Sequence, residues 1–279
     1  MLLTAVVLLA AAVARSSDGV PIHYTDQGKG EPALVFVHCW SCDSHLWDAQ
    51  VAAFAGNHRV VAIDLAGHGE SGKGRANWTI PAFGGDVRAV VEKLGLKRVI
   101  LIGSSMGGPV ILEAARQLGD RVVGLVPVDT LTSVEDKTPS DQIEAVVRRF
   151  QADYPGETTK YINQYLFAPS TPPDVRKRVL ATATSALPEI AIAVLRAAMA
   201  YDPVPALRGI KAPIRAINSD LYPTNLAGNR KYAPQFEAVI IEGVGHYPML
   251  ETPARFNALL AQAVRDIERS PPEAERKTS

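Results

Sequence analysis

Residues 98–108 read RVILIGSSMGG, and a helical stretch from Met106 to Leu118 follows. The run 98–103 is continuously apolar behind one arginine, the pattern of a strand buried on both faces. Between strand and helix lies G-x-S-x-G, formed by Gly103, Ser105 and Gly107. A serine at the tip of so sharp a turn must hold strained backbone angles, and its neighbours must lack side chains that would collide. The turn presents the Ser105 hydroxyl to solvent. It also aims a helix N-terminus at the reacting centre, where the dipole favours developing negative charge. A glycine-rich turn of this kind also binds phosphate or simply permits close packing, so its surroundings decide the reading.

Those surroundings alternate strand and helix, which predicts an α/β fold: a mostly parallel sheet with helices on both faces. Apolar strand-like runs recur at 33–38 (ALVFVH), 59–64 (RVVAID), 122–129 (VVGLVPVD), 214–218 (IRAIN) and 238–242 (AVIIE), with an edge strand expected at 22–25. Helices are expected at 45–55, 80–94, 106–118 and 253–267, with Gly95 and Gly119 at helix C-termini. The alternation breaks once, at 130–208. This stretch has no strand-like run, but helical periodicity at 143–150, 161–167, 175–185 and 190–199, punctuated by prolines. It is expected to be a helical lid inserted into a core formed by 19–129 and 209–269. The polar tail 270–279 is expected to be disordered.

The chain has 279 residues, 47% hydrophobic and 21% charged, as in an ordinary globular protein. Lys plus Arg equals Asp plus Glu, 29 each, so charge gives no support for a nucleic acid or an anionic membrane as partner. A small neutral molecule is the expected ligand. Residues 1–14 (MLLTAVVLLAAAVA) are uncharged and too short to span a bilayer. They read as a signal peptide with a small-x-small cleavage site at Ala12-Val13-Ala14, which predicts export to the periplasm or beyond. The chain's two cysteines, Cys39 and Cys42, lack the further pair that a structural metal site needs. A short-loop disulfide and a pair of half-buried thiols both remain open.

Four stretches resemble the α/β-hydrolase fold superfamily: FVHCW (36–40), DLAGHGES (64–71), GSSMGG (103–108) and GVGHYPMLETP (243–253). The resemblance implies a catalytic triad in the order nucleophile, acid, histidine. Ser105 is the nucleophile and His246 the base. Of the other histidines, His38 and His68 fall in family loops and read as loop-shaping, while His23, His45 and His58 read as structural or exposed. The oxyanion hole is expected from the backbone N–H groups of Met106 and Trp40. Cys39 stands where the family has glycine, a strained substitution if that position requires positive φ. The usual acid position, after the seventh strand, is Tyr222. Asp129, at the end of 122–129, is favoured over Asp220, because one branch of the family places its acid there. The bland alternatives are a helix cap for Asp129 and a turn hydrogen bond for Asp220.

A serine nucleophile with an oxyanion hole implies acyl transfer to water, with a small carboxylic ester as expected substrate and no cofactor or metal. Lactone hydrolysis, C–C bond hydrolysis and perhydrolysis occur on the same scaffold, and some relatives are receptors that do not turn over. The aromatic and aliphatic residues of 130–208 (Phe150, Tyr154, Tyr161, Tyr165, Phe167, Met199, Tyr201) suggest an apolar pocket, or packing of lid onto core.

Overall fold

The computed structural model describes residues 12–269. Eight strands form one sheet: β1 (Ala12–Arg15), β2 (Pro21–Gln27), β3 (Ala33–Val37), β4 (Val60–Ile63), β5 (Val99–Ser104), β6 (Val122–Val128), β7 (Ile214–Ser219) and β8 (Phe236–Ile241). Their order across the sheet is β1-β2-β4-β3-β5-β6-β7-β8. The β1–β2 and β2–β4 pairings are antiparallel, and every pairing from β4 onward is parallel. β3, β4 and β5 are buried at every position, as uninterrupted apolar runs require of strands covered on both faces.

Helices α1 (Asp48–Phe54), α2 (Ile80–Lys93) and α3 (Gly107–Leu118) alternate with the strands, and α11 (Pro253–Arg269) closes the described chain. The core has two layers, one on each side of the sheet. Along β3, Val35 and Val37 join the layer that includes α2 and α3, whereas Leu34 and Phe36 join the layer that includes α1 and α11. This is the two-residue period of a pleated strand sorting alternate side chains to opposite faces.

Between β6 and β7 lie α4 (Ser140–Ala152), α5 (Tyr154–Tyr165), α6 (Pro173–Thr184), α7 (Pro188–Ala200) and α8 (Val204–Gly209), with no strand. Three of the prolines expected to punctuate this insertion lie in the first turns of its helices. Pro173 and Pro188 open α6 and α7, and Pro155 is the second residue of α5. Proline has no N–H to donate, and the first helical turn needs none. Two short helices that the sequence did not announce, α9 (Leu226–Arg230) and α10 (Pro248–Glu251), flank β8.

The N-terminal boundary differs from expectation. Among the described residues the sheet already includes Ala12, ahead of Gly19, and β2 is not an edge strand because β1 pairs with it from Ala12↔Tyr24 to Arg15↔Pro21. Ala14 is buried in the core layer beside α2, so the expected cleavage site at Ala12-Val13-Ala14 lies inside a strand. The rest of the expected signal peptide (residues 1–11) and the expected disordered tail (270–279) lie outside the described residues. Among the described residues, no single helix is long and apolar enough to cross a membrane.

Candidate active site

At the end of β5 the chain turns through Ser105, whose φ is +53°. That conformation costs an ordinary residue about 1–2 kcal/mol. Ser105 N–H donates to Val128 O at 2.9 Å, and Ser105 O accepts from Gly108 N–H at 2.8 Å, so the turn is pinned on both sides. The flanking glycines are dictated by space. A Cβ on Gly103 would lie 2.3 Å from Gly107 O, and one on Gly107 would lie 2.7 Å from Val37 O.

His246 sits in the loop between β8 and α10. Its N–H donates to Leu166 O at 2.8 Å. The amides on either side, Gly245 and Tyr247, donate to the two carboxylate oxygens of Glu251 at 2.9 and 3.1 Å. Thr171 Oγ1 donates to the same carboxylate at 2.9 Å, which ties the histidine loop to the insertion. Glu251 has no counterpart among the residues expected to matter from sequence. Its only signal there is its place six residues after Gly245 in GVGHYPMLE.

Of the two acid candidates, Asp129 is the one that meets His246. Its Oδ2 lies 2.5 Å from His246 Nδ1, and its Oδ1 accepts from Ser219 N–H at 2.7 Å. Asp129 is buried, at 7% exposure, and carries a φ of +47°. Burial pushes its carboxyl up, but the adjacent His246 and the Ser219 N–H outweigh burial and hold it below the ordinary value. Asp220 is exposed and accepts from Gly243 N–H at 3.0 Å, a bond between the loops after β7 and β8 rather than the local turn bond expected of it. Tyr222, in the usual acid position, donates its hydroxyl to Tyr165 O at 3.0 Å.

The loop after β3 carries the other expected donor. Trp40 N–H and Met106 N–H have no acceptor among the described residues. The Trp40 ring is buried against Phe150, Tyr154 and Tyr161, and its Nε1 donates to Ala191 O of α7 at 2.8 Å. Cys39 is not strained as expected. The left-handed residue of this loop is Ser41, at φ +52°. Cys39 and Cys42 form a disulfide, with Cα atoms 5.4 Å apart. His38 is fully buried, bonding Cys39 O through Nδ1 at 2.7 Å and accepting Leu65 N–H at Nε2 at 3.0 Å. Only a neutral ring with its proton on Nδ1 satisfies both. His68 bonds Ala66 O at 3.0 Å, so both rings shape loops. His23 pairs with Asp64 and His45 with Asp48.

Ser105, His246, Trp40, Met106 and Thr130 line a cleft of about 240 Å³. Its opposite wall comes from the insertion, through Tyr161, Leu166, Leu195, Ala198 and Met199. Of the insertion's other aromatics, Phe150, Tyr154 and Phe167 are buried in packing. No hydrogen bond joins Ser105 Oγ to His246 Nε2, a contact that in many hydrolytic sites closes only when substrate is bound. Among the described residues, no group of three or more His, Cys, Asp or Glu is placed to hold a metal ion.

A serine on a positive-φ turn between a parallel strand and a helix, with a histidine–carboxylate pair on the same cleft, defines a hydrolase scaffold. The sequence matches the model of the Alpha/beta hydrolase family over residues 34–259, and the chain belongs to that family. It is 36% identical over 129 residues to a bifunctional esterase/perhydrolase of Acinetobacter calcoaceticus. It is 34% identical over 128 residues to a non-heme haloperoxidase of Rhodococcus erythropolis. Each match covers 45% of this chain and 47% or 46% of the relative, so the chain spans about half the length of these curated relatives. A thermophilic esterase from Thermogutta terrifontis superimposes with a TM-score of 0.80 at 25% identity, covering 92% of this chain and 99% of that one.

Proposed function

We propose that this protein is a serine hydrolase that cleaves small carboxylic esters through an acyl-enzyme. One observation carries the reading: Ser105, at φ +53°, opens onto the same cleft as His246, whose Nδ1 is held by the buried Asp129. The Asp129 carboxylate keeps the His246 proton on Nδ1, which leaves Nε2 free to accept the Ser105 proton. Ser105 Oγ attacks the ester carbonyl. The oxyanion is received by the N–H groups of Met106 and Trp40, and α3 points its N-terminus at that charge. His246 then protonates the leaving alcohol, and the acyl-enzyme is hydrolysed by the same steps in reverse.

A cleft of about 240 Å³ is below the usual range for drug-sized ligands, roughly 300–1,000 Å³, which supports a short acyl group. The esterase/perhydrolase relative favours a second reading of the same intermediate. Hydrogen peroxide in place of water takes the acyl group as a peracid and returns the proton to Ser105. The Cys39–Cys42 bond supports an oxidising compartment, and hence export.

The test is a series of aryl esters and lactones of graded chain length, run with wild type and Ser105→Ala, with and without peroxide. Short esters should turn over many times, and Ser105→Ala should lose at least about a thousandfold in kcat with its fold intact. Retained activity in Ser105→Ala would sink the assignment. A single slow acylation would point to a receptor.

A further inference from the structure

The Cys39–Cys42 disulfide lies beside the cleft, yet no step above uses it. The Cys39 carbonyl and the Trp40 N–H are the two ends of one planar peptide group, and in a trans peptide they point in opposite directions. Whatever holds the carbonyl therefore aims the N–H. The carbonyl accepts from His38 Nδ1–H at 2.7 Å and from Cys42 N–H at 3.3 Å. The far end of the disulfide is firmly anchored. Asp43 caps the next turn by accepting His45 N–H at 3.0 Å, and Ser44 N–H donates to the buried Asp64 carboxylate at 2.7 Å. Between the cysteines, Ser41 holds a φ of +52°, a conformation a non-glycine residue leaves when nothing confines it.

We propose that Cys42 is a positioning residue for the oxyanion hole: its bond to Cys39 clamps the Cys39–Trp40 peptide group with the N–H turned to the Ser105 oxyanion. The family places glycine at position 39, where this chain has one half of a tether. An oxyanion donor is effective because it is already aimed when charge develops. Cutting the tether lets the peptide group rotate, and the reaction itself must then reorient it. Full activity thus depends on the oxidised bond. The proposal rests on the serine hydrolase reading above.

The experiment compares wild type, Cys42→Ala and Cys42→Ser. Ester kinetics, inhibition by an arylboronic acid and far-UV circular dichroism are measured with and without dithiothreitol. Dithiothreitol supplies the electrons: the Sγ–Sγ bond breaks, two thiols form, and the reagent closes to its cyclic disulfide. Half-buried Cys42 gives it access. The boronate adds Ser105 Oγ and mimics the tetrahedral oxyanion, so its affinity reads the hole, whereas KM reads the cleft. Loss of one oxyanion donor outright costs roughly 10²–10³ in kcat. The variants should lose about ten- to a hundredfold in kcat and in boronate affinity, with KM within about twofold. Reduced wild type should fall to the same rate, and the reductant should leave the variants unchanged. Unchanged kcat in variants and reduced wild type would overturn the proposal. So would free Cys39 and Cys42 thiols in the active enzyme by mass spectrometry, or loss of the dichroism signal in both variants and reduced wild type, which would make the bond a staple of the fold. The hydrolase reading fails separately: there, Ser105→Ala keeps its activity and the boronate does not inhibit wild type.

Discussion

Asp129 reaches His246 only because its own backbone bends the right way. At φ +47° it leaves β6 sharply, and its carboxylate lands between His246 Nδ1 and Ser219 N–H at the tip of β7. Asp129→Asn keeps the shape but reverses the hydrogen-bonding sense at Nδ1, favouring the wrong histidine tautomer. It should lose kcat by three orders of magnitude or more, on the order of the effect seen in other triads. Asp220→Asn keeps an acceptor for the Gly243 N–H and alters only a surface bond between two loops, so it should leave kcat nearly unchanged. Steady-state kinetics of the two variants checks this, and the reverse ranking would move the acid to Asp220. At this scale the sequence was legible where a residue sits inside a spaced motif, as Ser105 and His246 do. It offered two carboxylates because reach depends on a left-handed angle that no local pattern reports. It was silent on Glu251, whose partners are the amides of Gly245 and Tyr247 and the hydroxyl of Thr171, 80 residues away in the chain.

α3 packs closely on the end of β3 beside Trp40 and Met106, the residues proposed to supply the oxyanion-hole amides. At Gly107 there is no room for a side chain: a Cβ there would lie 2.7 Å from Val37 O and 2.9 Å from His38 O. Gly107→Ala should force the helix and the loop apart, destabilising the fold by about 1–3 kcal/mol. It should also lower kcat more than it raises KM. Thermal unfolding and kinetics read the two effects, and an alanine variant with wild-type kcat would show that the spacing is not critical. The strands and long helices were readable because each carries its own period: continuous apolar runs for β3 to β6, and 3.6-residue repeats for α2, α3 and α11. α9 and α10 were not, since five and four residues are too short to display a period. β1 was missed because a run of alanines and valines is equally at home in a leader and in a strand.

Two neutral histidines inside one folded body give the molecule a characteristic response to acid. Burial, reinforced by the neighbouring His38, pushes the His68 imidazole down to about 3, and burial also lowers His38 from 6.5. Both folded values lie below the unfolded one. Above pH 6.5 neither state takes up the proton. As pH falls below 6.5 the unfolded chain binds protons that the folded chain refuses, so stability declines, His68 alone contributing roughly 1.4 kcal/mol per pH unit between its unfolded value and about 3, with His38 acting in the same direction. Urea unfolding across this range should show the decline, and His68→Gln should make it shallower. A flat profile in wild type would remove this account. The outermost strand has a different bearing on the whole molecule. A cut after Ala14, if export processing takes place, would fall within the same extended small residues that β1 uses to cover β2, so processing would then compete with sheet completion for one segment. A chain cut there would keep seven strands and expose a row of backbone donors and acceptors along β2, an open seam on which another copy of the chain could template itself.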